Sequence, residues 1–305
     1  MATASGPSLG FQRSSAPLPR EVARPTHSFR PARWHALLAR DHLATAAIVG
    51  LSMLAMVAVL APALAPYDPA RIDLATGPTA PGPAHPLGTD MMGRDLLSRL
   101  LFGARTSLAV GIGAATIAAL LGLALGLAAA NGGLVDAAIC RLVDAAMAIP
   151  AFFLLIALQS ILGSSVIQVV LLVSMTGWMA VARVVRALAM SLKGREYVLA
   201  ARALGCSTLR ILVRHLLPNL AGQVVVLFAL GVADALLMES ALSFIGLGIP
   251  PTQPSWGSIL NDAQAAILSG AWWVALFPGL MILATALAIN LVGDGLRRTL
   301  DPGAP

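Results

Sequence analysis

The chain of 305 residues is 58% hydrophobic and only 11% charged, which is far more apolar than a soluble domain. This composition excludes an ordinary globular protein and indicates an integral membrane protein. The formal net charge of +6 does not indicate a nucleic-acid partner, because the basic residues are spread over several loops and form no aromatic-rich platform.

The N-terminal part of the chain predicts a tail followed by a retained membrane helix. Residues 1–41 are rich in Arg, Pro and Ser and lack hydrophobic periodicity, so we expect a disordered cytoplasmic tail. The apolar run 43–65 ends in Ala-Pro-Ala-Leu-Ala, as a signal-peptidase site does, but it is longer than a usual signal core and follows a long tail. Residues 42–105 are therefore predicted to hold a first transmembrane helix and an extracytoplasmic loop.

Three titratable residues of the predicted loop could together carry chemistry. Asp90, Asp95 and His85 lie close in sequence and could form a metal site or an acid–base cluster. Their spacing matches no standard metal-ligand pattern, however. The sequence therefore does not favour this chemistry, and we expect no metal.

The remaining apolar segments predict an all-α polytopic membrane protein. We expect six transmembrane helices, with both termini cytoplasmic and a membrane core within residues 106–300. A short interfacial segment at 136–146 and an outer loop at 245–270 are expected between them. The predicted helices are 43–65, 106–130, 147–162, 166–185, 223–244 and 272–292.

The second predicted helix carries a row of small residues. They recur at every fourth position and include Gly122 and Gly126 as a G-x-x-x-G pair. This spacing lets another helix approach closely, so that dispersion replaces the missing hydrophobic driving force. We interpret the pair as a helix-packing contact and not as a chemical site.

The polar segment 194–221, which we call the knob, predicts two short helices. Gly205 is expected to end the first helix, because glycine tolerates the left-handed backbone there, and Ser207 is expected to cap the second. Pro218 is expected to break the second helix because it lacks an N–H donor. In each helix, apolar residues recur at i, i+3, i+4 and i+7 and predict one apolar face. The two faces are Tyr197, Ala200, Ala201 and Leu204 in the first helix, and Leu209, Leu212, Val213 and Leu216 in the second.

Periodicity alone leaves two interpretations of the knob open: an amphipathic hairpin lying on the lipid surface, or a docking element. The string EYVLAARALG…RHLLPN resembles the EAA loop of ABC-importer permeases, in the peptide and nickel branch of that family. Leu199 and His215 depart from the general EAA consensus, which has a glutamate and an isoleucine there. The residues that carry the resemblance are Glu196, Ala200, Ala201, Gly205, Leu217 and Pro218.

The resemblance implies a function and a set of partners. In this family the EAA loop docks into a groove on a cytoplasmic ATPase and couples hydrolysis to helix movement. Leu212 lies on the predicted apolar face of the knob and is therefore expected to take part in this coupling. Two further strings, HPLGTDMMGRDLLSRLLFGARTSL and GLGIPPTQPSWG, resemble the C-type subunit of dipeptide and oligopeptide permeases. The implied protein is a non-catalytic, multi-pass subunit of the bacterial plasma membrane that forms half of a translocation pathway. Its implied partners are a B-type permease, two ATPase subunits and an extracytoplasmic solute-binding protein.

The cargo and the class of function leave some alternatives open. Dipeptides, longer peptides, glutathione and nickel chelates all fit the resemblance, and no cofactor is implied. A phosphate-binding loop is absent from the sequence, whose single lysine is Lys193, so ATP hydrolysis is expected in partner subunits. A channel or an intramembrane enzyme fits hydropathy alone, but the five histidines all lie outside the predicted spans. We also expect Cys140 and Cys206 to stay reduced.

The distribution of basic residues predicts the orientation in the membrane. With both termini inside, sixteen of the twenty Lys and Arg residues lie on the cytoplasmic side and four lie outside. This agrees with the positive-inside rule and places the knob in the cytoplasm.

The fifth predicted helix contains two acids, Asp234 and Glu239. Their offset of five residues turns them about 140° apart, so they are not expected to share a partner. Glu239 matches the E-x-x-L-S-F string of the family, and we interpret it as a structural anchor at the outer gate, with a pathway role as the alternative. Asp234 lies near mid-depth, where an ionised carboxylate must be paired or wetted. It is expected either to bond a neighbouring helix or to contact cargo in the pathway.

Overall fold

The structure is a computed structural model that describes residues 41–250 and 252–300. Within those ranges it is helical apart from turns and one isolated antiparallel bridge between Thr89 and Asp95, which confirms the all-α class. The predicted tail lies outside the described residues except for its last residue, Asp41. The helices are α1 (His42–Val59), α2 (Ala61–Leu64), α3 (Leu96–Ala129), α4 (Gly133–Met147), α5 (Ala151–Leu162), α6 (Val166–Lys193), α7 (Glu196–Ala203), α8 (Thr208–Ile211), α9 (Leu217–Phe244), α10 (Trp256–Leu268) and α11 (Trp273–Leu300), with a π-helical turn (Leu212–Leu216) between α8 and α9.

Five helical segments are long and apolar enough to cross a membrane: α1, α3, α6, the run Thr208–Phe244, and α11. Helices α4 and α5 together make a sixth candidate, but they are bent by 82° at the break between them. Five or six crossings agree with the predicted polytopic fold. Several helices are longer than predicted, since α3 begins at Leu96 and α6 continues to Lys193.

The third predicted span, 147–162, is wrong as a single straight helix. Helix α4 continues to Met147, and α5 begins at Ala151 with Pro150 as its N-cap. Proline lacks an N–H and disfavours a helical conformation in the residue before it, so the helix stops ahead of it. Helix α5 has 12 residues. They extend about 18 Å and fall short of a hydrocarbon core of about 30 Å.

Pro218 does not break the helix, contrary to the prediction. The π-helical turn directly precedes it, and the helical run continues through it to Phe244. At the end of this turn the Leu217 N–H donates to the Leu212 carbonyl, five residues back. The hydrogen-bond register therefore shifts just before the missing donor, and the proline falls in the first turn of α9, where its absent N–H costs little.

The predicted outer loop 245–270 contains a helix that sequence reasoning missed, α10. Ser255 caps its start, because the Ser258 backbone N–H donates to the Ser255 hydroxyl at 3.1 Å and completes a capping box. Helix α10 packs against α11, α9 and α3. A periodic signal was present, since apolar residues that prove buried recur at helical spacing after the Pro/Gly-rich string. These residues are Trp256, Ile259, Ala263 and Ala266.

Helix α3 lies at the centre of the bundle and packs against α6, α9, α1 and α10. Gly122 and Gly126 lie on its side facing α6. A Cβ atom added at Gly122 would lie 2.5 Å from the Cβ of Val181, and one added at Gly126 would lie 2.7 Å from the Ala182 carbonyl oxygen. Both distances are far below van der Waals contact, so the two helix backbones approach each other as closely as glycine permits.

The bundle has two distinguishable ends. At the end where α3 and α11 begin, which we call the loop end, the Trp273 indole N–H donates to the Thr89 carbonyl at 3.0 Å. At the opposite end, the knob end, the Lys193 ammonium donates to the Ala130 carbonyl at 2.5 Å. This bond gives α3 a cationic partner at its C-terminus, where the helix dipole favours positive charge.

Candidate functional site

The first helix of the knob ends in a glycine turn. Gly205 has a φ of +81°, and its N–H donates to the Arg202 carbonyl at 3.0 Å. The Cys206 N–H donates to the Ala201 carbonyl at 3.1 Å, which completes a Schellman motif. The Ser207 hydroxyl then caps α8. The predicted helix end and the predicted cap are both confirmed.

One side of the knob packs into the bundle. Ala201 is only 8% exposed and Leu212 is half-buried. Each predicted apolar face is therefore split, because Ala201, Leu212 and the fully buried Leu216 lie on the inner side. Periodicity missed Val198, whose side chain is fully buried. The buried cluster on this side consists of Ala130, Val181, Val185, Ala189, Val198, Ile211, Leu216 and Leu220.

The outer side of the knob is apolar as well. Leu204 is 86% exposed and Leu209 is 70% exposed, on either side of the Gly205 turn. Other exposed apolar residues of the knob include Tyr197, Leu199, Ala200, Ala203 and Val213. Exposed arginines lie among them at positions 195, 202, 210 and 214. We call the exposed apolar residues and these four arginines together the outer face. An exposed apolar patch rimmed by charge is typical of a surface that contacts a protein or a membrane.

The other coupling candidates lie where the knob joins the membrane helices. Glu196 begins α7, while Leu217 and Pro218 begin α9. Leu217 is half-buried and Pro218 is exposed. Tyr197 lies beside them with its ring 6.3 Å from that of His215, and partial burial raises the pKa of its hydroxyl, so it stays neutral near pH 7. The knob is thus joined to α9 without a flexible linker.

Glu239 lies at the junction of three helices. Its carboxylate is fully buried and accepts from the Ser243 hydroxyl at 2.7 Å and from the Ser107 hydroxyl of α3 at 3.2 Å. The Ser107 hydroxyl in turn accepts from the Trp256 N–H at the start of α10, also at 3.2 Å. Sequence reasoning missed Ser107 and Trp256, because they are far from Glu239 in the chain. This arrangement supports the interpretation of Glu239 as a structural anchor.

Asp234 lies on the same helix but is exposed. Among the residues that the structure describes, none forms a hydrogen bond or an ion pair with its carboxylate. The expected hydrogen bond to a neighbouring helix of this chain is therefore not made. The side chain faces outward from α9 at membrane depth, between the buried residues Ala233 and Ala235.

The acids of the loop end are used in structural contacts. The Asp90 carboxylate pairs with Arg94 at 2.7 Å and with the buried Arg99, and both arginines also pair with Asp262 of α10. No group of three possible metal ligands occurs among residues 41–250 and 252–300. Asp262 went unnoticed because its helix was taken for a loop. These contacts replace the metal or acid–base interpretation with an ion-pair network that ties the loop to α10.

Asp95 is likewise engaged in local structure. One of its oxygens accepts from the Ser98 backbone N–H at 2.8 Å and so caps α3. The other lies 2.9 Å from the His85 ring nitrogen. The His85 ring also lies against that of Tyr67, with the ring centres 4.9 Å apart. These contacts fix the start of α3 to the loop.

Known proteins resemble the chain over most of its length. The profile of the family described as "binding-protein-dependent transport system inner membrane component" matches residues 118–304. The dipeptide transport system permease protein DppC of Bacillus subtilis (strain 168) is 38% identical over 282 residues, which are 92% of this chain and 88% of that protein. A protein of Brucella ovis, provisionally named a peptide permease, is 41% identical over 264 residues, which are 85% of this chain and 87% of that protein. The matched regions contain the knob, Asp234 and Glu239.

Proposed function

The chain belongs to the family of binding-protein-dependent transport system inner membrane components, and from that premise we propose that it is the permease subunit of a peptide-importing ABC transporter. It is a multi-pass protein of the bacterial plasma membrane and a transport component. The names of its relatives support peptides as the cargo. Identification of the ligand on the cognate solute-binding protein would distinguish peptides from glutathione or a nickel chelate.

In the proposed assembly, partner subunits supply the functions that this chain lacks. It pairs with a B-type permease to form the pathway, receives cargo from an extracytoplasmic solute-binding protein, and is driven by two cytoplasmic ATPase subunits. The sequence has no phosphate-binding loop of its own, which supports a separate motor. The proposed orientation places the knob end in the cytoplasm and the loop end outside.

The outer face of the knob is the main observation that supports this proposal. Leu204 and Leu209 are among the most exposed large apolar side chains of the described residues, and arginines surround them. Burying these two side chains in a groove of the ATPase would remove apolar surface from water, which is favourable by about 25 cal/mol per Å². The arginines favour an acidic rim on that groove, because complementary charge steers association.

The inner side of the knob supports a route for the coupled movement. Val198 and Leu212 pack in one cluster with residues of α6 and α9, so a displacement of the knob reaches both helices. Through Leu217 and Pro218 the knob continues into α9 as one helical run. A rigid connection of this kind transmits a displacement that a flexible linker would absorb. The displacement would reach Glu239 and the helices that it joins.

Substitution of the outer face tests the proposal. Leu204→Asp and Leu209→Asp place charge in the docking contact, and we expect each to reduce co-purification of the ATPase roughly tenfold or more and to lower uptake with it. Membrane insertion and monomer stability should be unchanged, because both side chains are exposed. Co-purification and ATP-driven uptake in proteoliposomes measure the effect.

Two kinds of control keep the test specific. Leu74→Asp changes an equally exposed leucine (77%) in the loop at the other end of the bundle and should bind the ATPase as the wild type does. Ala201→Asp and Leu212→Asp should damage packing of the knob as well as docking. If Leu204→Asp and Leu209→Asp both retained a full complex and normal uptake, the docking assignment would be wrong.

A further inference from the structure

Helices α9 and α11 form a close antiparallel pair. Val226 packs with Leu296, whereas Ala233, further along α9, packs in one cluster with Ile289, which comes earlier in α11. A Cβ atom added at Gly293 would lie 2.9 Å from the Leu230 side chain, so the backbones are close at this level. Ala233 and Ile289 therefore mark where the two helices face each other.

The residue after each of these contacts is polar and exposed. Asp234 follows Ala233, and Asn290 follows Ile289. One residue turns an α-helix by about 100°, and in an antiparallel pair equal turns from the mutual contact carry both side chains to the same side of the pair. Neither side chain has a hydrogen bond or an ion pair with another residue of the described ranges. Two exposed polar groups without such a partner thus lie on the same side of the helix pair.

This surface is at membrane depth. Ten residues separate Asp234 from Phe244 at the end of α9, which is about 15 Å in a hydrocarbon core of about 30 Å. An ionised carboxylate that faced lipid there would be strongly unfavourable. Such residues face a partner helix or a water-filled cavity instead. Asp294, one turn beyond Asn290, is exposed too and extends the polar surface towards the knob end.

We propose that Asp234 and Asn290 form a subsite in the water-filled translocation pathway that receives the N-terminal ammonium group of the cargo peptide. An ionised carboxylate and an amide carbonyl are hydrogen-bond acceptors, and an ammonium group offers three donors and a positive charge. The inference rests on the proposed peptide cargo. It adds a residue, Asn290, and a recognition chemistry that the motifs of the sequence do not indicate.

Thiol labelling of the assembled transporter tests whether the subsite is wet and charged. In a chain with Cys140→Ser and Cys206→Ser, the Asn290→Cys variant should react with water-soluble methanethiosulfonates, and faster with a cationic reagent than with an anionic one. Adding Asp234→Asn should reduce that rate ratio several-fold. Met53→Cys, on an exposed and apolar part of α1, is the lipid-facing control and should not react. Equal inertness of Asn290→Cys and Met53→Cys, or a ratio that ignores Asp234→Asn, overturns the proposal.

The same variant tests the ligand class. Glycylglycine at millimolar concentration should slow labelling of Asn290→Cys, whereas N-acetyl-glycylglycine should not, because it lacks the ammonium group. Protection by both peptides or by neither refutes an ammonium subsite.

Transport measurements separate this subsite from the coupling role of the knob. Asp234→Asn and Asp234→Leu should both co-purify with the ATPase subunits yet show at least about tenfold lower uptake, a loss of about 1.4 kcal/mol or more, while Asp234→Glu keeps partial uptake. Normal uptake by Asp234→Asn would show that a neutral hydrogen bond suffices and would overturn the proposal. A failure of the coupling assignment would appear in Leu204→Asp and Leu209→Asp and leave these results untouched.

Discussion

At the scale of single residues, the two acids of α9 differ because of their surroundings. Glu239 is enclosed by hydroxyl donors from two helices, whereas Asp234 has no partner among the described residues. A buried acid with satisfied oxygens stabilises one arrangement of helices. An exposed acid at membrane depth is more informative about function. The free-energy cost of placing its charge in the hydrocarbon region must be offset by water, a partner or a ligand.

Removal of the Glu239 carboxylate should destabilise the junction of α3, α9 and α10. Glu239→Leu leaves the hydroxyls of Ser107 and Ser243 buried without an acceptor, at about 1–3 kcal/mol for each group. Glu239→Gln keeps one acceptor and should lose less. The melting temperature of the purified complex in detergent measures both, and an unchanged value for Glu239→Leu would argue against an anchoring role.

At the scale of elements, the bundle depends on close contacts between long helices and on breaks at particular residues. Helices α3 and α6 touch through glycines, and the bend between α4 and α5 occurs at a proline. The π-helical turn accommodates a second proline without a break. Each feature sets where a helix lies, and so determines which side chains reach the pathway and the knob.

Larger side chains at the glycine contact should disrupt assembly. Gly122→Leu and Gly126→Leu would collide with Val181 and with the backbone of Ala182, so α6 must move away from α3. We expect a lower yield of assembled complex and lower uptake. Gly50→Leu is the matched control, because nothing lies within 4 Å of a Cβ added at this helical glycine. Unchanged yield for both α3 variants would mean that the close approach is dispensable.

At the scale of the whole molecule, the two ends have different chemistry. The loop end carries only four basic residues, and its ion pairs join Arg94 and Arg99 to Asp90 and Asp262. The knob end carries exposed arginines. Cytoplasmic segments of membrane proteins carry an excess of Lys and Arg, and acidic residues change this bias little. The proposed orientation rests on this asymmetry.

Accessibility of thiols in whole cells checks the orientation. With Cys140→Ser in place, Ala80→Cys in the loop should react with a membrane-impermeant maleimide added to spheroplasts. Cys206 in the knob should react only after the membrane is permeabilised. Labelling of Cys206 in sealed spheroplasts would reverse the assignment of the two ends.

The sequence predicted features that depend on local chemistry. Membrane-length apolar runs, the helix end at Gly205 and the cap at Ser207 follow from composition and from the preferences of neighbouring residues. The sequence reasoning missed the break at Pro150 and predicted a break at Pro218 where the helix continues. The same residue type stops a helix in one context and is accommodated in the first turn of a helix in another. Helix α10 was missed because Pro and Gly residues before it predicted a loop.

The sequence by itself determined the membrane class, the approximate number of crossings and the presence of a knob, because hydropathy and helix termini are local properties. Only the tertiary structure decided which side of the knob faces inward, because both sides are apolar. The inner side is the one that packs against α6 and α9. It also decided the pairing of α9 with α11, which carries Asp234 and Asn290 to the same side. That pairing depends on the antiparallel register of two helices, which no spacing along the chain records.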